Sequence, residues 1–223
     1  MSKVSNLQRD YLAEIYHLGQ IESNNSSGFV SSADLGQRLF ASQSTVNRVI
    51  ERLRDEGLIE HQRYVGVQLT ERGRQEALAS LRRQAIVETF LVSAMGFGWH
   101  EVYEEARRMR HHVSEVVLTR MWEIAGRPAR SPFGEWIDGT GPEDHTEILL
   151  RDAPIAQDYR IARVLTRQPD RLAYLAALEL KPDTQLHLLH KAPFNGPIQI
   201  HLERDYRIIG HELAKILTVS PVE

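Results

Sequence analysis

The chain has 223 residues, of which 42% are hydrophobic and 26% charged, with a net charge of −3; that balance suits a globular protein of one large domain or two to three small ones. No apolar run nears the length of a membrane span, and the start, MSKVSNLQRDYL, lacks the apolar core of a secretory leader, so a cytoplasmic protein that meets no membrane is expected. The absence of cysteine excludes disulfides, thiolate metal sites and Cys nucleophiles.

Residues 7–21 carry Leu7, Tyr11, Leu12, Ile15, Tyr16 and Leu18 at helical spacing, followed by a polar loop over 22–28. Ser31 and Asp34 form a capping-box pattern that opens a short helix over about 32–40. After the turn 41–44, Val46, Val49, Ile50 and Leu53 make the apolar stripe of a second helix, closed by Gly57. The stretch 58–69 then reads as a hairpin with its turn at Tyr64-Val65-Gly66. Thr70 is placed to cap a long helix to about 94, and a further helix is expected over about 99–125. Residues 127–142 are rich in proline and glycine and read as a linker. Beyond it, 148–150, 185–190, 198–202 and 206–209 are strand-like, with a helix over 169–178.

Helix, four-residue turn, helix, hairpin is the order of a winged helix-turn-helix, whose second helix lies in the major groove of duplex DNA. Net charge does not oppose this, because binding depends on where the charges lie: residues 1–83 carry eleven Lys and Arg against ten acids. The side chains at the start of the second helix are Ser42, Gln43, Ser44, Thr45, Asn47 and Arg48. Gln and Asn can bond adenine bidentately, Arg can bond guanine, and a Thr methyl can meet thymine. Arg63 in the hairpin and Arg52 are placed for phosphates. Polar groups are also what any exposed helix carries, and winged helices serve in protein–protein contacts too; the outward face of 42–48 holds no acid that would favour that role.

Several stretches together resemble the diphtheria-toxin repressor family of iron- and manganese-dependent regulators. They are Asp10-Tyr11-Leu12 to Ile15-Tyr16, SQSTVNRVIERLRDEGL from Ser42, Leu69-Thr70 to Gly73, VYEEARRMRHHVS from Val102, and GRPARSPFGEWI from Gly126. The resemblance covers essentially the whole chain and implies a mainly α protein with β. Its parts would be a winged-helix DNA-binding domain over 1–80, a helical dimerisation domain with linker over 81–142, and a small SH3-like (FeoA-like) β-barrel over 146–223. It further implies a homodimer on a pseudo-palindromic operator with half-sites about one DNA turn, roughly 34 Å, apart. Phe90, Leu91, Val113, Val116, Val117 and Met121 are candidates for the dimer core, or equally for packing within the chain.

In that family a divalent metal links the first helix to the dimerisation helices. Asp10, Glu88 and His111 match ligand positions, whereas Gln84 and Tyr103 stand where histidines are usual, Ala13 where manganese-type members have an acid, Arg107 for Cys or Glu, and Arg110 for Glu. Arg163 and Thr166 fall where some members supply further ligands. A guanidinium has no lone pair to offer, and one about 6 Å from a divalent ion, at an effective dielectric near 20, repels it by roughly 5 kcal/mol. On the helix expected over 99–125, spacing sets 107, 110 and 111 on one face. The expectation is therefore no cofactor, with Arg107 and Arg110 pairing with Asp10 and Glu88 in the metal's place. Two alternatives stand beside it: a relocated manganese, iron or zinc site around His111 and Glu115, which share a face at i, i+4, with His112 near, or a small anionic effector on the arginines. His187 and His190, three apart in an expected strand, go to opposite faces. No P-loop, nucleophile-elbow or His-Glu-x-x-His pattern marks an enzyme.

Overall fold

The computed structural model describes residues 4–22, 28–138, 147–203 and 205–222. The middle of the expected polar loop, 23–27, and the end of the expected linker, 139–142, lie outside the described residues. The chain divides into two compact units, Met1–Arg83 and Gln84–Glu223.

In the first unit, α1 (Asn6–Glu22) opens on a reciprocal cap: Ser5 N donates to Gln8 Oε1 at 2.8 Å, and Gln8 N donates to Ser5 Oγ at 3.3 Å. Ser31 caps α2 (Ser32–Leu39) by accepting from Asp34 N at 3.1 Å. Phe40 ends that helix in the left-handed conformation, φ 51°, and turns the chain into α3 (Gln43–Asp55). Strands β1 (Ile59–Gln62) and β2 (Gly66–Leu69) pair antiparallel, and Val30 adds a bridge to Val67 with hydrogen bonds of 2.8 and 2.9 Å. Gly66 is required where it stands: φ is 140°, and a Cβ there would meet Val30 O at 2.4 Å. The core is the inward stripes of three helices, Tyr11, Leu12 and Ile15 with Leu35 and Val46, Val49, Ile50 and Leu53, closed by Leu58, Ile59 and Val67 of the hairpin.

Thr70 starts α4 (Glu71–Met95), its Oγ1 accepting from Gly73 N at 3.1 Å, and the division between units falls inside this helix. In the second unit the helix expected over 99–125 is two helices, α5 (Val102–Met109) and α6 (Glu115–Ile124). Ser114 explains the break: its hydroxyl accepts from Val117 N at 3.4 Å, an N-cap that starts a new helix rather than continuing the old one.

The segment read as a linker is packed over 127–138. Phe133 and Ile137 are buried, Phe133 O accepts from Val164 N at 3.0 Å, and a Cβ on Gly134 (φ 86°) would come within 2.0 Å of Ala162 O. Strands β3 (Ile148–Leu149), β4 (Gln157–Val164), β5 (Gln185–Lys191), β6 (Ile198–His201), β7 (Tyr206–Ile209) and β8 (Leu217–Pro221) form one antiparallel sheet in the order β3-β8-β4-β5-β6-β7. Helices α7 (Pro169–Ala177) and α8 (His211–Ala214) fill its connections. Strands β4 and β8 had no expectation in the sequence. Ile86 and Leu91 of α4, Val102 and Ala106 of α5, Leu118 of α6 and the inner face of the sheet belong to one continuous core. The helical and β-rich parts of this unit are thus packed together rather than strung on a linker.

Candidate functional site

At the start of α3 the sequence builds a polar, exposed face on an apolar root. Val46, Val49, Ile50 and Leu53 are buried, so Ser42, Gln43, Ser44, Asn47, Arg48 and Arg52 face solvent, with Thr45 half-buried. Ser42 Oγ lies 3.0 Å from both Ser44 Oγ and Thr45 Oγ1. Gln43 Nε2 donates to Asn47 Oδ1 at 2.9 Å and to Ser32 Oγ at 3.1 Å. One helical turn therefore presents two amides held by each other, which is the geometry that offers paired donors and acceptors to base edges. Arg48 and Arg52 line a notch of about 170 Å³ with Ser5, Leu7, Gln8 and Val49. Burial raises the Tyr11 hydroxyl's pKa, and the Arg48 guanidinium nearby partly offsets this.

At the hairpin tip Arg63 lies over the Tyr64 ring, 4.8 Å from its centroid. Tyr64 is 90% exposed and holds φ 66°. A bulky side chain held out in the left-handed region belongs to a turn under constraint. Sequence reasoning read this turn but not the ring beside the arginine.

The positions the resemblance assigned to metal form, in the second unit, a buried polar network. Gln84, Glu88, Tyr103 and Arg110 are buried. Arg110 Nη1 donates to Gln84 Oε1, and Gln84 Nε2 donates onward to Glu88 Oε1 at 2.8 Å. Arg110 Nε also donates to His111 Nε2 at 3.3 Å. Burial pushes the Glu88 carboxyl up to about 7, against the opposing pull of Arg167, Gln84 and Arg110. Arg167, in the loop after β4, is a residue that sequence reasoning missed. It ion-pairs with Glu135 at 2.7 Å, donates to Val164 O and Thr166 O at 2.7 and 2.8 Å, and lies 4.1 Å from the Phe133 ring centroid and 5.8 Å from that of Tyr103. Burial opposes its charge, yet Glu135 and Glu88 outweigh that and hold its pKa above the ordinary value.

Three expectations bear on this network. Arg107 and Arg110 stand three residues apart on one helical turn but differ in setting: Arg107 is half-buried and pairs with Glu104 of its own helix at 3.0 Å, whereas Arg110, the C-cap of α5, is buried. The charged neighbours of Glu88 are Arg167, Glu135 and Arg110; Arg110 was among the arginines expected there, and Arg167 was not. His111 and Glu115 do not share a helix face, since the turn before Ser114 separates them; His111 is half-buried, and His112 and Glu115 are exposed. Asp10 belongs to α1 in the first unit, half-buried. Arg163 bonds Glu147, and Thr166 is buried.

The network does not fit a divalent ion as it stands. A cation beside Glu88 would meet two guanidiniums, and among the described residues no three His, Asp or Glu side chains are grouped as ligands would be.

Three family models match: the iron dependent repressor N-terminal DNA binding domain over residues 3–67, the iron dependent repressor metal binding and dimerisation domain over 70–139, and the FeoA domain over 148–221. The chain is 33% identical over 163 residues to the diphtheria toxin repressor of Corynebacterium glutamicum, covering 70% of this chain and 68% of that one. It is 34% identical over 137 residues to the iron-dependent repressor IdeR of Mycobacterium tuberculosis strain H37Rv, covering 61% of this chain and spanning 57% of that relative's length. A solved manganese-dependent transcriptional repressor in complex with manganese superposes at a TM-score of 0.83 with 30% identity, over 96% of this chain and all of that one. Thermoplasma acidophilum IdeR, at 0.84 and 23%, shares the fold. The expectation that no cofactor is used is thereby overturned: the matched helical domain is described as metal binding, and the structural relative at 30% identity holds manganese. With its three domains matched in order and a relative one-third identical over most of both lengths, the chain belongs to the iron-dependent repressor family typified by the diphtheria toxin repressor.

Proposed function

We propose that this chain is a homodimeric, metal-responsive transcriptional repressor that reads a pseudo-palindromic operator with α3. The observation that carries the reading is the first turn and a half of that helix, where the Gln43–Asn47 amide pair and Arg48 project from an aliphatic root. Arg52 and Arg63 flank that face as exposed cations suited to phosphates. Dimer formation would use α6, whose Val116, Val117 and Ile124 are exposed, while Leu91 is buried in the chain's own core with Val113 and Met121 against it.

The metal-responsive part rests on the family and on donors at the edge of that network, where His111 accepts from Arg110 and the residues after it leave the guanidiniums behind. The turn between α5 and α6 offers His111 and His112, with Glu115 one residue past the Ser114 cap. Imidazole and carboxylate together suit manganese, iron or zinc. A duplex selected from a random library, followed by fluorescence anisotropy in chelator and in added Mn²⁺, Fe²⁺ or Zn²⁺, tests this. Binding at least tenfold tighter with one metal is expected, with the gain lost in His111→Ala. Equal affinity in chelator and in all three metals would sink the metal-responsive reading, and no binding at low salt would sink the DNA-binding one.

A further inference from the structure

Four strands of the C-terminal sheet assemble residues that lie far apart in sequence. The register sets Asp158 of β4 opposite His187 of β5, His187 opposite His201 of β6, and His201 opposite Tyr206 of β7. Residues directly opposite on paired strands share a face, so these four form one row across the sheet. It is the outer face, because the alternating Tyr159, Leu186, Leu188 and Ile200 are buried. A bulge between Leu188 and His190 sets His190 opposite Gln199, two residues before His201 on β6, so His190 emerges on the same side as His187. Simple alternation would have sent it to the other face.

We propose that His187 and His201 form a surface site for a divalent transition-metal ion of the zinc, copper or nickel class, oriented by Asp158. Asp158 Oδ1 lies 2.7 Å from His187 Nδ1. A carboxylate on one ring nitrogen holds the proton there and leaves Nε2 as a lone-pair donor, the arrangement found behind metal-ligating histidines. Cβ atoms directly opposite across an antiparallel pair are about 4.5–5.5 Å apart. Two imidazoles on that base can converge on an ion at nitrogen–metal distances of about 2.0–2.1 Å. His201 rests against the Tyr206 ring, centroids 4.8 Å apart and planes tilted 48°. A turn about its side-chain torsions brings it to His187, and water completes the coordination at this open face. Two imidazoles favour zinc, copper or nickel over manganese or magnesium, which take oxygen. With two protein donors and a carboxylate behind one of them, the site differs from a three-ligand nest.

The site is separate from the metal that the repressor reading invokes, and the test keeps the two apart. Metal-stripped full-length protein is titrated calorimetrically with Zn²⁺, beside His187→Gln, His201→Gln and Asp158→Asn, with folding checked by circular dichroism. The same proteins are scored for metal-dependent binding to the selected duplex. Each histidine variant is expected to bind one Zn²⁺ fewer per chain and to keep its DNA response. Asp158→Asn is expected to keep the stoichiometry but to weaken that zinc by about tenfold to a hundredfold. Unchanged stoichiometry in either histidine variant overturns the site. Loss of the zinc together with the DNA response overturns its separateness. A parent protein that ignores metal on DNA yet loses one zinc in both histidine variants supports this site and counts only against the repressor reading.

Discussion

Arg167 is buried between two carboxylates, ion-paired with Glu135 and close enough to Glu88 for the two to act on each other's charge. Arg167 is 3% exposed and Glu88 is 3% exposed. Removing one partner of a buried charge cluster leaves the other uncompensated, which costs about 3–5 kcal/mol. Arg167→Met, which keeps most of the volume, is expected to lower unfolding free energy by about that much in urea at pH 7.5. The loss should shrink at pH 5, where Glu88 is protonated. Glu88 itself has a folded pKa of about 7 against an ordinary 4.5. A carboxyl raised on folding holds its proton more tightly in the native state. Its contribution is therefore fully present below pH 4.5 and is lost as pH rises to about 7, a swing of up to about 3 kcal/mol. In metal-free protein Tm is expected to fall between pH 5 and 8 for this reason, and Glu88→Gln should flatten that slope. An unchanged slope in the variant would mean that Glu88 is not the group responsible. Glu88 stood out in the sequence because it matches a ligand position of the resembled family. Arg167 did not, because a loop arginine two residues before a proline looks like any solvated one until the fold closes over it.

Within the first unit, the proposed reading gives α3 base contacts and the hairpin phosphate contacts. Asn47→Ala removes one amide of the Gln43–Asn47 pair, and it is expected to cost about 1–3 kcal/mol on the preferred duplex while relaxing base preference. Arg63→Ala is expected to weaken binding to all duplexes alike and to reduce the salt slope by about 1. Anisotropy over a salt series distinguishes the two behaviours. The helices of this unit were legible because each had a local start signal and a 3.6-residue apolar stripe, as at Ser31–Asp34 and Val46–Leu53. The α5–α6 break was not. Ser114 lies inside an otherwise continuous helical pattern, and only its hydroxyl's bond to Val117 N marks the new start. Strand β4 went unread for a different reason: QDYRIARV puts Arg160 and Arg163 between its buried residues, and its register shifts between Ile161 and Arg163, which blurs a period of two.

For the molecule as a whole, the second unit leaves an apolar surface on α6, where Val116 is 80% exposed and Ile124 59%. A charge there should cost the proposed dimer and leave the chain's own core intact. Val116→Asp is expected to shift sedimentation toward monomer with Tm little changed and with operator affinity reduced at least tenfold. A variant that stays dimeric would place the interface elsewhere.

The sequence by itself determined the winged helix, the exposed polar face of α3 and the family, because those rest on short-range patterns: caps, stripes and motif order. It did not determine that residues 127–138 are part of the core, that Arg167 joins Arg110 beside Glu88, or that Asp158, His187 and His201 form a row. Each of these depends on strand register, a bulge or a helix break that sets residues tens of positions apart side by side. Local propensity carries no information about such pairings; burial and hydrogen bonding decide them when the chain closes on itself.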